Sequence, residues 1–124
     1  MTISNRTKAF LYQAMQVAEL SGHNFRHGAV AVKNGNVLNR GVNRYKMSPH
    51  VAPARNSIHA EISTLLPIDD RRGVVVYVAR IDMHGVATNS KPCDRCLRTM
   101  GTWGVKKVFY TLSPTSFGEI KIGL

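Results

Sequence analysis

Three observations in this 124-residue chain predict a three-layer α/β/α fold with a mixed five-stranded sheet in the order αββαβαββ. Apolar residues recur at helical spacing near the amino terminus, an Asn34-Gly35 pair joins two strand-like runs, and Val74-Val75-Val76-Tyr77-Val78-Ala79 is continuously apolar. The apolar run fits a central strand covered on both faces, which calls for helices on either side of the sheet.

Arg6 to Leu20 reads as the first helix, with Phe10, Ala14 and Val17 in one stripe, Leu11, Met15 and Ala18 beside it, and Ser4 placed as its cap. Gly22 ends it. Strands follow at Gly28 to Val32 and Asn36 to Val42, and Asn34-Gly35 suits the positive φ of a tight hairpin turn. Asn43 to Ser57, with Pro49 and Pro53 and no clear period, reads as a loop. A second helix is expected from near Ser57 to just before Pro67, carrying His59 and Glu61 in its first turn. The third strand is Val74 to Ala79. After a loop with Gly85 and Asn89-Ser90, Pro92 suits the first position of a third helix, placing Cys93 at its N-terminus and its end near Gly101 to Gly104. Lys106 to Leu112 is the fourth strand, with Val108 and Tyr110 on one face. A turn over Ser113 to Gly118 leads to a fifth strand, Glu119 to Gly123. It is expected to run antiparallel, because a parallel return needs a crossover helix and there is no room for one.

With 44% hydrophobic and 19% charged residues, the chain has the material to bury a core as one domain spanning 1–124 without disulfide staples. No repeat, signal-peptide pattern or membrane-spanning run is evident, so no membrane partner and a cytoplasmic location are expected. Seventeen Lys and Arg against seven Asp and Glu give a net charge of +10 and a pI near 10.2. Positive charge favours anionic substrates without choosing between a polymer and a single phosphate. The basic residues are scattered, and no run suggests a disordered tail.

The chemistry lies in His59-Ala60-Glu61 and Pro92-Cys93-Asp94-Arg95-Cys96. Zn²⁺ prefers four nitrogen or sulfur donors, and a hydrolytic site fills three from protein and leaves the fourth to water. His59, Cys93 and Cys96 supply three. Glu61 is then free to move protons. A lone Cys-x-x-Cys also fits a redox pair, but that reading leaves His59 and Glu61 unexplained. A closed structural zinc site needs a fourth donor, for which His23, His27, His50 and His84 are the candidates.

The paired motifs His-x-Glu and Pro-Cys-x-x-Cys resemble the cytidine deaminase superfamily, and the match extends to Gly28-Ala29-Val30-Ala31-Val32, the Asn34-Gly35 turn and Gly41-Val42-Asn43. The resemblance implies one catalytic zinc, water attack at C4 of cytosine, and Glu61 as the catalytic residue that protonates N3. It further implies that Asn43 binds the sugar hydroxyl, the backbone N–H of Ala60 the base carbonyl oxygen, and the Ser90 to Pro92 backbone the amino group. For Asn43 the competing role is to satisfy its own loop backbone. Phe25, Arg26 and His27 lie where the superfamily's substrate-gating loop is found, and offer a stacking ring and a phosphate contact. Tyr45 and Lys46 flank the same mouth. Trp103 is expected to pack the end of the third helix, and His50 and His84 to be solvated loop residues. The antiparallel ending resembles free cytidine deaminases, which usually carry Cys-Ala-Glu where this chain has His59-Ala60-Glu61. Three functions follow: a cytosine deaminase acting on a (deoxy)cytidine nucleoside or nucleotide, a deaminase of single-stranded DNA or RNA, and a non-catalytic zinc-containing nucleic-acid-binding module. Members of the superfamily often assemble as dimers or tetramers, so a homo-oligomer is among the expected partners.

Overall fold

The structure is a computed structural model that describes residues 4–22, 25–45 and 57–123. Helix α1 (Asn5–Ala18) is capped by Ser4, whose Oγ accepts from the Thr7 amide, as expected. It ends two residues earlier than its periodicity suggested, with Glu19 as C-cap. Strands β1 (Arg26–Lys33) and β2 (Asn36–Val42) form the antiparallel hairpin. Asn34 and Gly35 both take positive φ, 52° and 80°, the conformation the Asn-Gly pair was expected to supply.

The Asn43 to Ser57 segment departs from a plain loop at both ends. Short strands β3 (Arg44–Tyr45) and β4 (Ser57–Ile58) pair antiparallel, which pins the two ends of the segment together. Residues 46–56 lie outside the described residues, and with them Lys46 and His50. Because Ser57 and Ile58 are extended, helix α2 is shorter than expected, at Ala60–Leu65, and His59 is its N-cap rather than part of its first turn.

Strand β5 (Val75–Ile81) is central, antiparallel to β1 and parallel to β7 (Lys107–Thr111). Helix α3 (Asp94–Thr102) lies on the crossover between these two parallel strands. Cys93 is its N-cap, so Pro92 falls just outside the helix instead of opening it. A two-residue strand, β6 (Ala87–Thr88), pairs with the end of β5 where a loop was expected, which makes the sheet six-stranded. Strand β8 (Phe117–Lys121) starts two residues early and pairs antiparallel with β7, as the missing crossover required. The main path is β2-β1-β5-β7-β8.

Alternation along the strands builds two cores. On one face Val30, Val32, Tyr77 and Ala79 pack with Phe10, Leu11, Ala14 and Val17 of α1. On the other, Ala29, Ala31, Val76, Val78, Val108 and Tyr110 pack with Ala60 and Leu65 of α2 and Cys96 and Met100 of α3. The expected three layers result. Trp103 caps α3, and the Arg71 guanidinium lies 4.1 Å from its ring centroid while donating to the carbonyls of Leu65 and Leu66 at the end of α2. Two helix ends are tied together by one cation, and Trp103 is thereby a packing residue.

Candidate active site and metal centre

Both helices on the second face point their N-termini at one place. His59 and Cys93 occupy the N-cap positions, and neither side chain makes a capping hydrogen bond, so both are available to a ligand. Cys96, three residues along α3, is on the same side as Cys93. His59 Nδ1 lies 3.2 Å from Cys96 Sγ and 3.7 Å from Cys93 Sγ, and all three donor atoms fall within 4.8 Å of one another. A tetrahedral zinc holds nitrogen and sulfur donors about 3.6 Å apart, close to the two nitrogen–sulfur distances here, so this donor set fits the ion. Among the described residues no fourth His, Cys or carboxylate joins the cluster. His27 and His84 are not among its donors, and His23 and His50 lie outside the described residues.

Glu61, in the first turn of α2, is only 4% exposed. Burial raises its carboxyl above the usual range, against the opposing pull of its own backbone N–H, His59 and the Cys96 thiol. Cys96 is pushed up in turn by burial and by the nearby Glu61 and Cys93. A buried carboxylate beside two thiols is costly in a metal-free site, and a divalent cation there inverts that electrostatic balance.

The site opens into a cavity of about 340 Å³ lined by Phe25, His27, Asn43, His59, Glu61, Arg80, Ser90, Lys91, Pro92 and Cys93. Of the residues singled out from the sequence, Ala60 does not line it: its side chain is buried in the core, between two residues that do. Asn43 is 5% exposed and heavily engaged. Its Oδ1 accepts from Ser21 Oγ at 2.8 Å and from the His27 amide at 2.9 Å, and its Nδ2 donates to the Phe25 carbonyl. Ser90 Oγ contacts the Val78 carbonyl and both Oγ1 and the carbonyl of Thr111, and accepts from the Thr111 amide. Its side chain is a structural knot. Arg26 turns away to the Asp82 carbonyl, so of the three residues expected at a substrate-gating loop Phe25 and His27 reach the cavity and Arg26 does not.

Residues 4–112 match the model of the cytidine and deoxycytidylate deaminase zinc-binding region. The chain belongs to this family. It is a zinc-dependent deaminase, a hydrolase, with one zinc assigned to His59, Cys93 and Cys96. No curated protein matches the deaminase in sequence. Among solved structures, it is similar to the dCMP deaminase of the cyanophage S-TIM5, at 23% identity over 88% of this chain and 84% of that one, with a TM-score of 0.69. The same phage protein in complex with dCMP and dUMP matches at 22% identity, 89% and 83% coverage and TM-score 0.69. A cytidine deaminase from Burkholderia pseudomallei matches at 21% identity, 97% and 94% coverage and TM-score 0.70. These likenesses establish the common fold. Family membership sets aside the non-catalytic binding module.

Two residues of the cavity escaped the sequence reading of the deaminase. Arg80 sits on β5 two residues beyond Val78, hence on the face that carries α2 and α3, at the end of the strand nearest the site. An arginine on the site face at the C-terminal end of a central strand was the available signal. Lys91, next to Pro92, is exposed at the same cavity, and only its closeness to the cysteine motif hinted at that.

Proposed function

We propose that the deaminase converts cytosine to uracil in a (deoxy)cytidine nucleoside or nucleotide. The observation that carries this reading is the buried Glu61 carboxyl, which shares a cavity with two of the metal donors without belonging to the donor set. Zinc supplies the Lewis acidity that makes water a nucleophile near neutral pH. Glu61 takes a proton from the attacking water and delivers it to N3 as the oxygen adds to C4. It then takes the remaining proton from the new C4 hydroxyl and passes it to the departing amino nitrogen, the C4–N bond breaks, ammonia leaves and the C4 carbonyl remains.

The remaining roles complete the proposal. The backbone N–H of Ala60, at the start of α2, meets the base carbonyl oxygen, and the backbone of Ser90 to Pro92 receives the amino group. Asn43 has Oδ1 committed to Ser21 and His27 and one Nδ2 hydrogen to the Phe25 carbonyl, so what it can offer a sugar hydroxyl is the second Nδ2 hydrogen. Phe25, 56% exposed, is a stacking ring at the mouth, with His27 beside it. A cavity of this volume accommodates a mononucleotide-sized ligand.

The net charge of +10 favours a second reading, deamination of single-stranded DNA or RNA. Uracil formation by the zinc form on cytidine, dCMP and a cytosine-bearing single-stranded oligonucleotide, beside a Glu61→Ala control, tests both. Glu61-dependent conversion of the small molecules supports the first reading, conversion of the oligonucleotide alone supports the second, and no product from any substrate overturns both.

A further inference from the structure

The cavity's electrostatics go beyond the deamination chemistry. Among the described residues its only acidic side chain is the buried Glu61, whereas Arg80, Lys91 and His27 bring basic groups to the same space. Among the described residues no carboxylate pairs with Arg80 or Lys91; the ion pairs there involve Lys33, Arg72 and Lys107. Arg80 is nonetheless held in place. Its backbone is locked between β1 and β6, opposite His27 and Thr88, and its guanidinium carbon lies 4.9 Å from the Phe25 ring centroid. A guanidinium over a ring interacts through its charge and keeps N–H donors for an anion. Lys91 sits beside Pro92 and adds a second charge at the same cavity.

We propose that Arg80, assisted by Lys91, is the 5′-phosphate subsite of this cavity, so that the enzyme takes a free cytosine mononucleotide in preference to the nucleoside. The proposal rests on the cytosine reading and narrows it. An arginine over the Phe25 ring, with no carboxylate partner among the described residues, in a cavity whose reactive end holds a buried carboxyl, separates charge along the substrate: the neutral base goes to Glu61 and the anionic phosphate to the cation. It also discriminates, because a nucleoside leaves that guanidinium without an anion.

The test uses the zinc-loaded enzyme and its Arg80→Gln, Arg80→Lys and Lys91→Gln variants, with zinc content and thermal midpoint checked for each. Two readouts are taken: kcat and KM on dCMP and deoxycytidine, and calorimetric binding of dUMP and deoxyuridine. Arg80→Gln is expected to lower kcat/KM on dCMP about 10- to 100-fold, chiefly through KM, and to weaken dUMP comparably while changing the two nucleosides less than about threefold. Arg80→Lys restores part of the loss, since it keeps the charge and lacks the fork, and Lys91→Gln gives a smaller loss of the same selectivity. Equal effects of Arg80→Gln on nucleotide and nucleoside overturn the proposal, as does a wild type that binds dUMP no better than deoxyuridine. Arg80-dependent turnover of an oligonucleotide without turnover of dCMP overturns it in favour of a phosphodiester on a polymer. If no substrate yields uracil, the cytosine reading fails, while Arg80-dependent binding of dUMP over deoxyuridine still supports the phosphate subsite and its absence overturns it.

Discussion

Glu61 and Cys96 touch in the same buried corner, yet one is a proton carrier and the other a metal donor, and the two roles separate experimentally. Replacing Glu61 with Gln keeps the shape and removes the exchangeable proton. It is expected to lower kcat about 10²- to 10⁴-fold with zinc content unchanged. A parallel loss of zinc would instead make Glu61 a ligand. Burial holds Cys96 as a thiol in the metal-free protein, so zinc must displace a proton to bind there. Zinc affinity, measured against a chelator, should therefore be weaker at pH 6 than at pH 8, and uptake should release protons into a weakly buffered solution. These ligands were legible in the sequence because zinc chemistry restricts donors to few residue types at short spacings. Arg80 was not, and neither were the partners of Asn43. What an amide or guanidinium contacts depends on groups 16 to 22 residues away, as with the His27 amide and the Ser21 hydroxyl on Asn43, or distant in sequence, as with Phe25 and Arg80.

At the scale of elements, the site depends on how closely helices press on the sheet. A Cβ at Gly28 would overlap the Ala14 carbonyl oxygen and the backbone of Ala18, so α1 can sit where it does only because position 28 has no side chain. Gly28→Ala is expected to destabilise the fold by about 2–3 kcal/mol in urea titration, since the clash is with helix backbone, which cannot swing aside. On the opposite face, Arg71 closes the carbonyl end of α2 and stacks on Trp103 at the end of α3. Arg71→Ala should cost about 1–2 kcal/mol. Lost activity at unchanged zinc content would follow if α2 shifts, since Glu61 rides on it. The long elements, the hairpin turn and the antiparallel ending were readable because periodicity and turn chemistry are local properties. The two-residue strands β3, β4 and β6 were not, because a short strand carries almost no pattern of its own and exists only where a neighbour supplies hydrogen bonds.

For the molecule as a whole, the metal centre couples the two helices of one layer to each other, since its donors are the residues that cap α2 and α3 and one residue within α3. Zinc that binds the folded arrangement more tightly than the unfolded chain must stabilise it. Chelation is therefore expected to lower the thermal midpoint, and zinc, but not magnesium, to restore it; an unchanged midpoint would show that the three donors bind no zinc in solution. Among the described residues no helix is long and apolar enough to cross a membrane. The sequence by itself determined the reaction type, the metal donors and the layer order, because those depend on residue identity and on local periodicity. Only the tertiary structure decided what the cavity can hold. Arg80 and Lys91 are 11 residues apart in sequence and reach the same cavity as Phe25, His27 and Asn43 through strand pairing and the turn before α3, and the register that aims Arg80 there is set by the whole sheet.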